Sequence, residues 1–121
     1  MKPLLQTRLP AFLQRFENFK DAEFRSLEII SPTVVKLTLA AQDSARAFDW
    51  ITISLEFHGV NDARLLQESQ LSYVDMSDGA SLLYEENMFA FGLAERYNIS
   101  SVKNSSIYLI AESLKYEEGQ F

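Results

Sequence analysis

His58 is the only histidine in this 121-residue chain, and there is no cysteine. It is therefore the one side chain whose ordinary pKa lies near neutrality, the first place to look for a general base. Ser54 and Glu56 precede it at spacings of two within the alternating run Ile51–His58, so all three fall on one face of a strand. Neighbours on such a face are separated by about 7 Å of strand rise, and no serine sits in a Gly-X-Ser-X-Gly elbow. The pattern predicts a rim histidine, not a catalytic base. Paired carboxylates are the second feature: Asp75 with Asp78, Glu85 with Glu86, Glu117 with Glu118. Two carboxylates facing each other across a cleft at about 5–9.5 Å would hydrolyse a glycoside, but adjacent strand residues point to opposite faces. Asp75-Met76-Ser77-Asp78-Gly79 lacks the alternation of a calcium loop. Four scattered glycines form no phosphate-cradling loop. No catalytic residue, cofactor site or metal ligand is assigned.

Two further residues call for partners. Glu112 interrupts the strand face Tyr108, Ile110, Leu114 and Tyr116, where a buried charge would need Arg25 or Lys36 beside it. Trp50 shares the polar strand face of Thr52 and Ser54, where an exposed indole would anchor an interface.

The charge distribution says more than any motif. Residues 1–60 carry seven acids and seven bases, whereas residues 61–121 carry ten acids against Arg64, Arg96, Lys103 and Lys115. The net charge of −6 thus arises in the second half. Such a field steers cationic partners inward and repels nucleic acid and anionic membrane. The expected docking patch is Asp75, Asp78, Glu85 and Glu86 on a hairpin, joined by Glu117, Glu118 and Trp50.

The elements that would position these residues follow from periodicity. Pro10 suits a first helical turn, and Leu9, Phe12, Phe16 and Phe19 recur at helical spacing, with Leu13 widening the stripe. From Glu23 the period becomes two. Leu27 and Ile29 form one strand, Val35, Leu37 and Leu39 a second, and Ile51, Ile53, Leu55 and Phe57 a third. Asn61 caps a predicted helical turn over 62–66. Asp78-Gly79 predicts a two-residue hairpin that sets Val74 opposite Leu83 and Tyr73 opposite Tyr84. Met88–Leu93 follows, with Gly92 read as a bulge. The strand 106–116, apolar on both sides at its start, belongs inside the sheet, and the chain frays from Glu117. The expected architecture is a single α+β domain over 1–121: an N-terminal helix packed on a mostly antiparallel β-meander of about six strands. An all-β sandwich or partial barrel is the alternative.

Absence of cysteine, of a signal-peptide core and of a long apolar run favours a cytoplasmic protein. Three segments, Phe19-Lys20-Asp21-Ala22-Glu23-Phe24, Leu55-Glu56-Phe57-His58-Gly59-Val60 and Ser113-Leu114-Lys115-Tyr116-Glu117-Glu118, give a chain that resembles small bacterial cytosolic proteins, among them immunity proteins of polymorphic toxin systems. The resemblance implies a non-enzymatic protein-binding domain, acidic because its target is basic. Two alternatives are a self-associating structural subunit, and a small-ligand binder or enzyme with a pocket between helix and sheet.

Overall fold

The structure, a computed structural model, describes residues 1–121. Its architecture is α+β: a short helix packed on a seven-stranded antiparallel sheet that does not close into a barrel. The elements in chain order are β1 (Lys2–Pro3), α1 (Leu9–Arg15), β2 (Glu23–Ser31), β3 (Val34–Asp43), β4 (Asp49–Arg64), β5 (Ala80–Glu85), β6 (Met88–Leu93), α2 (Ile99–Val102) and β7 (Tyr108–Gln120). Strand order is β2-β3-β4-β7-β6-β5, with β1 beside the second half of β7. The meander is therefore two meanders, β2-β3-β4 and β5-β6-β7, joined where β7 pairs with β4. β7 is internal, as its two apolar sides require. It does not fray at Glu117, because the ladder with β4 runs on to Ile51 opposite Gln120.

One face of the sheet holds one large core. Val35, Leu37, Leu39 and Ala41 of β3, Ile51, Ile53, Leu55 and Phe57 of β4, and Leu114 of β7 meet Leu9, Phe12, Phe16 and Phe19 there. The aromatic stripe is core, though only part of it is helix. The helix stops at Arg15, and Glu17, Asn18 and Phe19 turn left-handed at φ 52°, 56° and 57°. That turn costs about 1 kcal/mol per residue. It brings the Phe16 and Phe19 rings into a stack at 5.4 Å and 8°, both buried. Phe12 in turn packs edge-on against Tyr116 at 5.2 Å, which fixes α1 over β7.

A second, smaller core lies on the opposite face, where Ala90, Tyr108 and Ile110 are covered by Val102 of α2. The predicted face Tyr108, Ile110, Leu114 and Tyr116 is thus split between the two sides. The exchange happens where Gly59 (φ +67°) lies opposite Glu112, between the pairs His58–Ser113 and Val60–Ala111. A side chain at Gly59 would stand 2.7 Å from Glu112 Oε2, so glycine is what lets the Glu112 side chain lie there. Glu112 is exposed and forms no ion pair with Arg25 or Lys36.

Three turn expectations are corrected. β4 continues through Arg64 without a helical turn at 62–66, because Ala63 and Arg64 pair with Leu109 and Tyr108. Gly92 is no bulge: it pairs regularly with Ser81 and Tyr108, and Val102 Cγ1 would lie only 3.3 Å from a Cβ added there. The hairpin turn is Glu86-Asn87, both at positive φ (52° and 63°), which closes β5 onto β6. Asp78-Gly79 instead passes under the left-handed turn, where the Asn18 carbonyl oxygen would lie 2.2 Å from any Cβ on Gly79. Tyr73 and Val74 pair with nothing; Glu68–Tyr73 is a 3-10 segment packed against β2.

Candidate partner-docking face

The face of β3, β4 and β7 turned away from the large core carries His58 and its neighbours. Glu56 Oε1 reaches His58 Nε2 at 2.6 Å, so the strand spacing is bridged by side-chain bending. Lys36, Glu56 and Lys115 stand side by side in register, with Glu28 beyond Lys36, a row of alternating charge across four strands. Thr38 and Ser54 share a hydrogen bond of 3.0 Å in the next row. These groups neutralise one another on an open surface, and no cleft collects them.

The strongest electrostatic perturbation lies elsewhere, in a network that ties three distant parts of the chain. Arg15 of α1 clamps Asp43 through Nε to Oδ1 at 2.8 Å and Nη2 to Oδ2 at 2.6 Å, and reaches Glu118 through Nη1 at 2.7 Å. Arg46 closes the ring on Glu118 at 2.8 Å. The Asp43 side chain is fully buried, and its carboxyl is held below the usual carboxylate range by the Arg15 guanidinium. Glu118 is lowered for the same reason, and Arg15 is raised well above its ordinary value. Two acids and two arginines cancel here, and every lone pair of consequence has a donor. Glu118 is therefore spent on the fold, while Glu117, one residue away, lies opposite Ser54 on the other face.

Trp50 stands apart from these acids. Its ring is 5.6 Å from Phe121, whose ring also receives the Arg25 guanidinium at 4.5 Å, and both aromatics stay partly exposed (37% and 60%).

The remaining candidates gather around β5, an edge strand. Gly79 O accepts from Ala94 N, which sets the phase of the hairpin: Ser81, Leu83 and Glu85 bond to β6, and Ala80, Leu82 and Tyr84 turn their backbone groups outward. A cleft of about 590 Å³ runs along this edge, walled by Leu13, Asn18 and Lys20 on one side and by Glu95, Arg96 and Tyr97 on another. Much of its polar lining is already engaged. Ser81 Oγ donates to Ala94 O at 2.7 Å and accepts from Arg96 N, while the Arg96 side chain donates to Leu93 O and Ser101 O. What stays open is backbone edge and the Asp78 carboxylate, since Glu95 accepts from the Tyr97 hydroxyl and Glu85, beyond the cleft, accepts from Ile99 N at 3.3 Å.

No protein-family model matches the chain. No curated protein and no solved structure matches it either, so the face is read from its own geometry.

The segments framing β5 are residues 16–22, 75–86 and 94–97. They carry Glu17, Asp21, Asp75, Asp78, Glu85, Glu86 and Glu95 against Lys20 and Arg96, seven acids to two bases, or −5 of the chain's −6. Asp75 accepts from Ser77 N at 2.9 Å and Asp78 borders the cleft. Glu85 and Glu86 stand at the other end of β5, about 17 Å away by strand rise. Of the six acids expected to dock a partner, Asp78 borders the edge cleft and Glu85 and Glu86 stand at the far end of β5, whereas Asp75 lines a separate pocket with Tyr73 and Leu93, and Glu117 and Glu118 lie on β7. Glu17, Asp21 and Glu95 were not foreseen, because only the fold brings residues 18–21 against residues 76 and 79.

Proposed function

We propose that this chain is a non-catalytic binding domain that docks a basic protein partner on the acidic surface around β5. The observation that carries the reading is the −5 balance of the segments framing that edge. Concentrated charge of one sign next to a groove raises encounter rates with a partner of opposite sign and disfavours wrong partners. In its narrower form the partner is a basic toxin domain and the chain is its immunity protein, a form supported by the resemblance of segments 19–24, 55–60 and 113–118.

The test begins with capture of the tagged protein's partner at low salt and its release at high salt. Association of that partner is then timed against wild type and against the variant with Asp75, Asp78, Glu85 and Glu86 all changed to Lys. The reversal is expected to slow association at least tenfold at low salt and to flatten its salt dependence. An unchanged on-rate removes the reading.

A second reading rests on the partly exposed Trp50 and Phe121 rings, which offer an aromatic patch for a second copy of the chain. Light scattering at millimolar concentration decides it: a dimer lost on Trp50→Ser supports self-association there, and a monomer throughout removes it.

A further inference from the structure

The free edge of β5 differs from the other free edge of the sheet. β2 is interrupted by register shifts at Phe24/Ser26 and Ile29/Ser31, carries Glu23, Arg25 and Glu28, and is partly covered by the 3-10 segment Glu68–Tyr73. Those are the devices by which proteins keep an edge from pairing. β5 lacks the first two: Ala80-Ser81-Leu82-Leu83-Tyr84 holds no charge, no proline and no irregularity, Glu85 closes it, and the approach of α1 and the following turn is slighter than the cover on β2. Three outward N–H and three outward C=O groups, from Ala80, Leu82 and Tyr84, pair with no other strand; Ala80 and Leu82 line the 590 Å³ cleft and Tyr84 lies beyond its end. α1 and the left-handed turn after it approach β5, and the cleft that remains along the edge has Leu13 as its apolar wall.

We infer that the partner contributes an extended basic segment that adds to the sheet as a strand along β5. The inference rests on the proposed function and specifies how that docking is made. Main-chain hydrogen bonds to Ala80, Leu82 and Tyr84 would supply affinity, and alternate side chains of the added strand would supply specificity. One set, apolar, would lie over Leu13 and Leu82. The other, Lys or Arg, would face the side of β5 that carries Glu85, with Asp78 and Glu95 nearby. A second copy of this chain fits the edge poorly. Two β5 strands paired about a two-fold axis would set the Asp78 end of each against Glu85 and Glu86 of the other, and like charges opposed across strands are destabilising.

The experiment uses the intact protein and a random twelve-residue peptide library displayed on phage, selected at low salt. Enriched peptides are expected to alternate Lys or Arg with β-branched residues. A saturating peptide should slow hydrogen exchange at the Leu82 and Tyr84 amides at least tenfold and leave Ser81 and Leu83, already bonded to β6, unchanged. N-methylation of alternate peptide residues on the pairing side should weaken binding at least tenfold with the wild-type protein. Tyr84→Pro should do the same without removing a β6 bond, since the Tyr84 N–H points outward. Basic peptides that bind without protecting Leu82 and Tyr84 overturn strand addition and leave the acidic docking reading standing. Peptides without basic residues that protect those amides overturn the acidic reading and keep strand addition. No enriched peptide overturns both. Protected Leu82 and Tyr84 amides in the free protein, with doubled molar mass, assign the edge to a second copy and overturn the inference.

Discussion

Asp43 carries four contacts on one carboxylate: two donors from Arg15, the Ala45 amide at 2.9 Å, and Arg46 Nε at 3.5 Å. Removing the charge leaves Arg15 and Arg46 facing a neutral amide inside a closed ring. Asp43→Asn is therefore expected to cost about 3 kcal/mol at pH 7, read from the urea midpoint. The sign with pH follows from the lowered carboxyls of Asp43 and Glu118. Their contribution is complete above about pH 4–5, the range in which unfolded carboxylates titrate, and is lost as pH falls through the folded values. The gap between wild type and Asp43→Asn should thus shrink at pH 3. Tyr108 works in the opposite direction. Its hydroxyl donates to Asp62 at 2.9 Å and its pKa is raised, so that contribution holds below pH 10 and fades as pH climbs through the raised value. Tyr108→Phe should flatten the alkaline limb of the stability profile. None of this network was legible in the chain, because Arg15, Asp43 and Glu118 are 28 and 75 positions apart and each reads as an ordinary surface charge.

Turns decide most of what could and could not be read at the scale of elements. Two-residue periodicity marked β2, β3 and β4, and the phenylalanine stripe marked the helix-bearing core, since both patterns come directly from burial. The hairpin was misplaced because Asp78-Gly79 satisfies the composition of a two-residue turn while serving another purpose. Gly79 is demanded by the Asn18 carbonyl pressed against it and by φ +73°. Gly79→Ala should destabilise by at least 2 kcal/mol, about a 10 °C fall in Tm, and should shift Asn18 in the amide spectrum. The true turn, Glu86-Asn87, hides because glutamate seldom adopts positive φ. Asn87→Gly, at φ 63°, should raise stability by about 0.5 kcal/mol in the same urea assay. The exchange of faces along β7 was also hidden, because it depends on Gly59 lying opposite a residue more than 50 positions away.

For the whole molecule, the decisive pairing is β4 with β7, whose register spans Ile51 to Gln120 at one end and Arg64 to Tyr108 at the other. Contacts that distant in sequence slow folding, so refolding is expected in milliseconds to seconds. Trp50, the single tryptophan, sits on β4 against Phe121 and reports that closure directly. Stopped-flow fluorescence and far-ultraviolet circular dichroism should recover at one rate if the two meanders form together. A fluorescence phase that lags would place meander formation before their union. The same topology has a consequence for biosynthesis. The last residue of β4 is synthesised about 3–11 s before Gln120 is added, at ordinary elongation rates. Until β7 follows, the β4 edge that it will cover has no mate, and the nascent chain carries a long unpaired strand open to wrong pairing.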